Sequence, residues 1–480
     1  MYSPGGASVD SSIFDPTLTG SQILGLSLAG GVYRTTYGPS FFDTINLMPP
    51  STKVILDLNL LNNSYEVAYN QAAAAVQYLG SRLDALEIGN EPDLYVPDGH
   101  KSASDWDPEI YTQTWVNWSA NITMGLNLPK NFFQPGGFMH DPTVVNFTTT
   151  NIIADGINNA STVKTYSQHM YRFDTCTPAT DAMVTYDNLV NHQNITTFIN
   201  LYLPQIAAAQ NAGSNLVVGE FNSVGCSGKQ NITNTFGQAL WLADSILYSA
   251  SVNITRMYTH QGATLLGQSS IQLNTPGFSW YNFVYPSNSA RNGPARATPS
   301  YPGLLLVAEA MGTSANTTRI TSFPLAAHPN LAIYAIWDTS VRVNAPARIA
   351  VLNLSPESDL SIDLSSLGPT GVKRLHSPTK DNQDSNTVTW AGQSYTNGTA
   401  NGTIVVEKPL SDGSVAIGSY EGVLVFLGGS VNGTVNATPI GNSSSSTSTS
   451  AKSSGTRFGR RSWYAISSWC SLLGLALFVL

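Results

Sequence analysis

Two stretches, KVILDLNL at Lys53–Leu60 and DALEIGNEPD at Asp84–Asp93, decide the fold that this sequence predicts. Each holds a short apolar run that stops at polar residues, which is the pattern of a buried strand. Between them lies Tyr69–Leu79, whose Ala-rich centre favours a helix. A strand, a helix and a second strand at this spacing indicate two parallel strands joined by a crossover helix.

The same alternation continues to about residue 260. The further strand-like runs are Phe132–Gly137, Val163–His169, Leu216–Glu220 and Ile254–Thr259, and the further helix-like segments are Tyr111–Gly125, Tyr186–Gln210 and Phe236–Ala250. Neither GxGxxG nor GxxxxGK[ST], the turns that bind nucleotide phosphates, occurs in the sequence. The pattern therefore favours an α/β fold of the (β/α)8 TIM barrel type, in which functional side chains lie at the carboxyl ends of the strands.

The number of strands falls short of a complete barrel. Six runs are clear, whereas Ile23–Tyr33, ILGLSLAGGVY, does not read as two more barrel strands. The first ten residues, MYSPGGASVD, have neither the basic start nor the apolar core of a signal peptide. We therefore expect that the first one or two barrel strands and the true N-terminus are missing from this sequence.

After about residue 300 the pattern changes to short strand-like runs separated by Gly, Pro, Asn, Ser and Thr. These runs are Leu331–Trp337, Ala347–Leu354, Gly371–Leu375, Val388–Trp390, Gly402–Val406 and Val423–Leu427. Such punctuation is typical of a β-sandwich. We predict a barrel domain over residues 1–299 and an all-β sandwich domain over residues 300–430.

The C-terminal end is layered. A Ser/Thr-rich stretch, predicted to be a glycosylated stalk over residues 431–462, precedes a hydrophobic tail over residues 463–480. This order matches a glycosylphosphatidylinositol signal, with attachment near Ser453, Ser454 and Gly455, and a single transmembrane anchor is the alternative. We expect an extracellular or cell-surface protein that meets the membrane only through this tail.

Composition limits the classes of function. Only 11% of the 480 residues are charged and the net charge is −8, which argues against a nucleic-acid partner. About fifteen Asn-x-Ser/Thr sequons, spread from Asn62 to Asn442, favour the secretory route. Cys176 and Cys226 can form one disulfide there, while Cys470 lies in the tail. The cysteines and histidines show no zinc-site spacing, and we predict neither a metal nor a cofactor.

Two carboxylates follow barrel strands directly. Asn90 and Glu91 come after Asp84–Ile88, and Glu220 ends Leu216–Glu220. If Asp84–Ile88 is the fourth strand of the barrel, Leu216–Glu220 is the seventh. Both carboxylates then face the barrel mouth. Cleaving a glycosidic bond requires such a pair, one carboxyl to protonate the leaving oxygen and one to attack the anomeric carbon or activate water. A single Glu at a strand end is more often a cap or an ion-pair partner, and the paired placement weakens that reading.

The pair IGNEP and VVGEFNS resembles the clan of retaining (β/α)8-barrel glycosidases. More narrowly, YGPSFFDTI at Tyr37–Ile45, VILDLNL, IGNEPDLY and SQHMY at Ser167–Tyr171 resemble fungal members of glycoside hydrolase family 79, which includes β-glucuronidases and is related to heparanase. The resemblance implies a retaining mechanism with Glu91 as general acid/base and Glu220 as nucleophile. It also implies that Asn90 binds the sugar 2-hydroxyl and that Tyr171 and Tyr281 bind the sugar and its carboxylate. His169 would orient the site or serve as a buried core histidine.

Two alternatives remain open beside a β-glucuronidase. The first alternative is a retaining β-glycosidase for a neutral sugar, because glutamates on strands four and seven indicate the mechanism better than they indicate the substrate. An inactive, truncated glycan-binding or structural protein of the cell surface is the other. A serine hydrolase is a poor third, because Gly25-Leu26-Ser27-Leu28-Ala29 lacks the second Gly of a nucleophile elbow. In each case we expect a monomer with a carbohydrate partner.

Overall fold

The structure is a computed structural model that describes residues 1–26, 32–262, 277–312, 318–358, 360–428, 434–435 and 463–465. It contains two compact units. The first consists of residues 1–188, 194–233 and 248–295, and the second of residues 189–193, 234–247 and 296–480. Most of the predicted stalk and tail, with the attachment region and Cys470, lies outside the described residues. Among the residues described, no helix has both the length and the apolar character needed to cross a bilayer.

The strands of the chain up to residue 285 are β1 Ser12–Phe14, β2 Gln22–Leu26, β3 Val32–Tyr37, β4 Val54–Leu58, β5 Leu83–Ile88, β6 Phe133–Gln134, β7 Gly136–Phe138, β8 Tyr166–Met170, β9 Phe173–Asp174, β10 Leu216–Phe221, β11 Val224–Gly225, β12 Met257–Thr259 and β13 Val284–Tyr285. The helices of the chain are α1 Pro39–Asn46, α2 Tyr65–Leu79, α3 Pro108–Leu126, α4 Thr149–Ala154, α5 Pro178–Met183, α6 Tyr186–Leu189, α7 His192–Asn200, α8 Leu203–Asn211, α9 Phe236–Ser251 and α10 Tyr301–Met311.

The first unit is built around a wall of parallel strands. Its sheets run β4-β5-β6 and β7-β8-β10-β12, and every pairing within them is parallel. A parallel bridge between Phe133 and Val163 extends the wall beyond β6. A helix follows β4, β5, β7, β8 and β10 in turn, as the sequence predicts for a barrel. The predicted fold class is confirmed.

One feature of this wall differs from the sequence prediction, whereas the described part of the segment Ile23–Tyr33 lies outside the wall, as the sequence indicates. The run Phe132–Gly137 is divided into β6 and β7 at Pro135, which has no N–H to donate to a neighbouring strand. The described residues of Ile23–Tyr33, namely 23–26 and 32–33, belong to a separate three-stranded sheet of order β1-β3-β2, in which β2 and β3 are antiparallel. At the start of the chain, Tyr2 makes a parallel bridge to Val54 and so lies beside β4.

One predicted helix is wrong as a single element. Tyr186–Gln210 is divided into α6, α7 and α8. Pro204 stands in the first turn of α8, where its missing N–H is tolerated, whereas it would interrupt a longer helix.

The second unit is a β-sandwich, as predicted. Its strands are β14 Arg296–Ala297, β15 Thr318–Ser322, β16 Leu331–Asp338, β17 Arg348–Asn353, β18 Leu360–Asp363, β19 Gly371–His376, β20 Thr389–Trp390, β21 Val405–Val406, β22 Ser414–Ile417, β23 Glu421–Phe426, β24 Thr434–Val435 and β25 Trp463–Ala465. An antiparallel sheet of order β15-β16-β17-β23-β19-β20 faces one of order β22-β18-β25. Ile333, Val351 and Val423 from the first sheet share a buried core with Ile362 and Val415 from the second.

Candidate active site

The turn after β5 presents Glu91 in an uncommon backbone conformation. Gly89 has φ +87° and Glu91 has φ +48°, so the chain passes twice through the left-handed region. A side chain at Gly89 would also come within 2.7 Å of Leu60. The Glu91 N–H donates to the carbonyl of Gly137 at 3.2 Å. Non-glycine residues seldom hold this conformation unless the surroundings enforce it, and such residues concentrate at functional sites.

A bulge in β10 presents Glu220. The register of β10 against β8 shifts between Val218 and Glu220, and Glu220 then lies opposite His169. A Cβ on Gly219, within this bulge, would lie 2.3 Å from the hydroxyl of Ser167, so a larger residue requires that buried hydroxyl to move. Bulges of this kind re-aim side chains beside active sites.

The two glutamates meet around His169. One donor atom each from Glu91, His169 and Glu220 lie within 4.8 Å of one another. Nδ1 of His169 is 3.0 Å from Oε1 of Glu91. His169 is buried, whereas the side chains of Glu91 and Glu220 keep 16% and 15% of their surface exposed. The structure therefore brings the two predicted carboxylates together at a site that a ligand can reach.

Two tyrosines and a second histidine surround Glu220. The Tyr171 hydroxyl donates to Oε1 of Glu220 at 2.7 Å and lies 2.8 Å from Nδ1 of His260. The Tyr281 hydroxyl is 3.0 Å from the same nitrogen, which is itself 3.3 Å from Glu220. Because Tyr171 has one hydroxyl proton and gives it to Glu220, its oxygen accepts from His260. These groups fix the position of the Glu220 carboxylate.

The surroundings shift the pKa values of the two glutamates in opposite directions. Burial raises the pKa of Glu91, and the repulsion of Glu220 adds to this despite the hydrogen bond from His169. Burial would also raise the pKa of Glu220, but His260, His169 and the Tyr171 hydroxyl together outweigh it and lower that pKa. At mildly acidic pH the pair therefore favours a protonated Glu91 and an ionised Glu220.

Beneath this pair, one layer of the barrel interior is polar. Asp57, Glu87 and Gln134 are neighbours across β4, β5 and β6, and the Gln134 amide donates to Glu87. Burial raises the pKa of Glu87 and raises that of Asp57 well above its usual range. Burial would lower the pKa of His169, but Glu91, Glu220 and Glu87 together raise it to about 10. His169 is therefore a buried cation among carboxyl groups.

Glu91, His169 and Glu220 are the described residues whose donor atoms come close enough to share a metal ion. Each of them already has a protein partner, since His169 bonds Glu91 and Tyr171 bonds Glu220. Such an arrangement allows one carboxyl group to transfer a proton while the other attacks as a nucleophile.

Asn90 and the two cysteines, Cys176 and Cys226, are the predicted residues that remain. Asn90 is buried, and its side chain makes no hydrogen bond with the described residues, which leaves the amide available to a ligand. Cys176 and Cys226 form a disulfide with a Cα–Cα distance of 5.3 Å. This bond joins the loop after β8, which follows Tyr171, to the loop after β10, which follows Glu220. It restrains both loops on the nucleophile side of the site.

Comparison with known proteins agrees with this geometry. Residues 333–424 match the glycosyl hydrolase family 79 C-terminal beta domain. A β-glucuronidase of Aspergillus niger is 28% identical over 371 residues, which cover 73% of this chain. A β-glucuronidase of Neurospora crassa is 28% identical over 257 residues, or 48% of this chain. The resemblance to glycoside hydrolase family 79 is confirmed.

The chain spans 63% of the length of the Aspergillus relative and 44% of the Neurospora relative. Among solved structures, the crystal structure of a 4-O-α-L-rhamnosyl-β-D-glucuronidase from Fusarium oxysporum is similar, with a TM-score of 0.72 at 21% identity. The match covers 88% of this chain and 87% of that one. A family 51 α-L-arabinofuranosidase from Bifidobacterium longum has a TM-score of 0.55 at 15% identity. These likenesses show the fold.

Sequence reasoning missed several residues of this site. His260 follows β12 directly, so the strand-end rule that found Glu91 and Glu220 could also have found it. Asp57 and Glu87 lie inside strands, where an acidic residue in an apolar run was the available signal. Asp10 contacts the turn that carries Glu91, and nothing in its local sequence indicates this. All four can be recognised once the fold is known.

Proposed function

We propose that this chain is a retaining glycoside hydrolase acting on β-linked glucuronides. The observation that carries the proposal is the approach of Glu91 and Glu220 to within 4.8 Å, with their pKa values displaced in opposite directions. Retaining enzymes hold their two carboxyl groups about 5–5.5 Å apart, whereas inverting enzymes leave about 6.5–9.5 Å for a water molecule. The short separation supports a double displacement.

In the first step, the carboxylate of Glu220 attacks the anomeric carbon while Glu91 gives its proton to the departing glycosidic oxygen. This breaks the bond to the leaving alcohol and forms a glycosyl ester on Glu220. In the second step, Glu91, now a carboxylate, takes a proton from a water whose oxygen attacks the same carbon. The ester bond breaks, the sugar leaves with its original configuration, and Glu91 is protonated again.

The residues around the pair have matching roles in this proposal. The Tyr171 hydroxyl and His260 stabilise the ionised nucleophile, and the bond to Tyr171 must weaken as the oxygen turns into an ester. The Asn90 amide binds the 2-hydroxyl, a contact that can strengthen in the transition state. The choice of a glucuronide follows from the two relatives named β-glucuronidase.

The direct test compares hydrolysis of aryl β-glucuronides and aryl β-glucosides by the purified chain. We expect the glucuronide to be cleaved with the higher kcat/KM. Cleavage of the glucoside alone would make this a retaining β-glycosidase for neutral sugars and would reject the uronic acid. If neither substrate is cleaved and a glucuronide-containing glycan binds equally to wild type and Glu220→Gln, the chain is a glycan-binding protein.

We also propose that the protein works at the cell surface after passing through the secretory route. The sequons, the disulfide between Cys176 and Cys226 and the order of the C-terminal segments support this. Because residues 1–10 show no signal peptide, the chain is expressed in a fungal host behind a secretory signal peptide, and treatment with endoglycosidase and then with phosphatidylinositol-specific phospholipase C tests both parts. A loss of apparent mass and release from cells are expected. Unglycosylated protein that stays in the cytosol contradicts the proposal.

A further inference from the structure

Asp10 is a buried carboxylate near the start of the chain, within the 3₁₀ turn Val9–Ser11. Each of its oxygens accepts two hydrogen bonds from distant parts of the first unit. Oδ1 accepts from the N–H groups of Leu60 at 2.9 Å and Leu61 at 3.2 Å. Oδ2 accepts from the N–H of Asn90 at 3.1 Å and from the hydroxyl of Tyr95 at 2.6 Å.

These donors belong to the carboxyl ends of two adjacent strands. Leu60 and Leu61 follow β4, and Asn90 follows β5 and directly precedes Glu91. Backbone N–H groups beyond the end of a strand have no partner in the sheet, and they need one when they are buried. One carboxylate therefore joins the two strand ends and satisfies the N–H next to Glu91.

The turn that Asp10 contacts is the strained one. Along it, Gly89 donates to the Leu58 carbonyl at 2.8 Å, Asn90 to Asp10, and Glu91 to the Gly137 carbonyl at 3.2 Å. Three successive N–H groups thus have acceptors on β4, at the start of the chain and on β7. Such a conformation persists only when its surroundings enforce it, and here the middle acceptor is a side chain.

Asp10 acts through this turn and has little left for a sugar. A carboxylate offers about four lone-pair positions, and the four donors fill them. We infer that Asp10 is a positioning residue, which fixes the Gly89–Glu91 turn so that Glu91 can protonate the leaving group. This inference rests on the proposed glycosidase function.

The test compares substrates with different leaving groups, because only some leaving groups need a proton from Glu91. Dinitrophenol leaves without protonation, whereas an alcohol or methylumbelliferone depends on Glu91. In Asp10→Asn the amide N–H₂ faces the Asn90 N–H or the two Leu N–H groups, so the turn loses an acceptor. We expect kcat/KM for a methylumbelliferyl β-glucuronide to fall by roughly tenfold to a hundredfold, as for other displaced catalytic groups. For the dinitrophenyl glucuronide it should change by less than about threefold.

Two further variants serve as the positive reference and the negative control. Glu91→Gln should show the same leaving-group selectivity, only larger. Asp15→Asn is the matched control, because Asp15 also accepts hydrogen bonds near the start of the chain, from Thr17, but is exposed. Equal losses on both substrates, or no loss, in folded Asp10→Asn would overturn the inference. If Asp10→Asn does not fold, Tyr95→Phe removes one of the four donors, and the absence of any leaving-group selectivity in it counts against the inference.

A structural readout separates this inference from the proposed function. Hydrogen exchange, followed by mass spectrometry, reports the amides of Leu60, Leu61 and Asn90. We expect them to exchange at least about tenfold faster in Asp10→Asn than in wild type or Asp15→Asn. If wild type cleaves no glycoside, the proposed function fails, and unchanged exchange of these three amides would then reject the positioning role as well.

Discussion

The two units treat buried charge in different ways. In the second unit, Arg374 bonds Glu407 and Glu421, each at 2.8 Å, and Lys373 bonds Glu309. Burial would raise the pKa of Glu421, but His376, Arg374 and the Gly418 N–H together lower it. This is the behaviour of a structural ion pair, in which each charge has a fixed partner.

In the first unit, the interior below the barrel mouth holds more carboxyl groups than cations. Asp57, Glu87, Glu91 and Glu220 share His169, and Oδ1 of Asp57 has no hydrogen-bond partner among the described residues. Burial raises the pKa values of Asp57, Glu87 and Glu91. A group of this kind is poorly optimised for stability and well suited to proton transfer. Variants in the two units should therefore separate activity from stability.

The largest effect is expected from Glu220→Gln. Loss of the nucleophile should lower kcat by at least about a thousandfold, because no other group can form the glycosyl ester. The melting temperature should fall only slightly, because the lowered pKa of Glu220 means that its charge stabilises the fold near neutral pH, while Gln can still accept the hydrogen bond from Tyr171. Assays with an aryl β-glucuronide and thermal unfolding measure the two quantities. The exposed Glu109→Gln serves as control, and a melting temperature lowered as far as in a second-unit ion-pair variant would contradict the comparison.

The next largest effect is expected from Arg374→Ala, and it falls on stability. Removing the guanidinium takes the cation from Glu407 and leaves Glu421 with only the Gly418 N–H and His376, which costs about 3 kcal/mol of unfolding free energy for a buried pair. The kcat of the folded protein should not change. Denaturant unfolding and active-site titration test this, with the exposed Arg319→Ala as the matched control. A fall in kcat without a loss of stability would contradict the claim that ion pairs of the second unit affect stability and not activity.

A smaller effect, about tenfold in kcat/KM, is expected from Tyr171→Phe. The Tyr171 hydroxyl helps to lower the pKa of Glu220, so its removal raises that pKa. Because Glu220 must be ionised to attack, the acidic limb of the pH profile should move to higher pH. The alkaline limb, which reports Glu91, should move less. Tyr65→Phe, on helix α2, is the control, and an unmoved acidic limb would remove Tyr171 from this role.

The smallest effects are opposite pH dependences of stability. The pKa of Glu87 is raised in the folded state, so its ionisation destabilises the fold as pH rises above its ordinary value of 4.5. Glu87→Gln should therefore be stabilising near pH 7 and close to neutral near pH 4. The pKa of Glu421 is lowered, so its contribution is present above 4.5 and is lost as pH falls through the folded value. Glu421→Gln should destabilise near pH 7 and much less at low pH.

Hydrogen exchange of peptides from β5 and β23 can follow the Glu87 and Glu421 variants separately in each unit. Wild type at the same pH values provides the reference. The same sign of pH dependence in both variants would mean that the two sets of buried carboxyls do not differ as described.

Much of this arrangement follows from local sequence. The predicted run Asp84–Ile88 corresponds to β5 at Leu83–Ile88, and Leu216–Glu220 to β10, because both strands are apolar and buried on two faces. Parallel strands place their carboxyl ends at one edge, so Glu91 and Glu220 could be brought together before any coordinates were known. Strands β15, β18 and β22 were not predicted, since TRITS and LSID hold many polar residues and SVAI has only four residues. Their strand conformation depends on neighbours in the sheet.

What the sequence could not provide was long-range contact. Asp10 reaches Asn90 across 80 positions and Tyr95 across 85. His260 meets Tyr171 across 89 positions. Pairings of this kind depend on how the chain returns to the barrel mouth, which no local pattern encodes. The opposite pKa shifts of Glu91 and Glu220 belong to the same class, because burial and neighbours set them.

The configuration of the first sugar released tests the central claim most directly. Proton NMR can follow hydrolysis of an aryl β-glucuronide by the wild-type chain from its first minutes. If Glu91 and Glu220 carry out a double displacement, β-glucuronic acid appears first and the α anomer grows in only by mutarotation. Initial release of the α anomer would mean a single displacement by water, and it would contradict the roles assigned here to both glutamates.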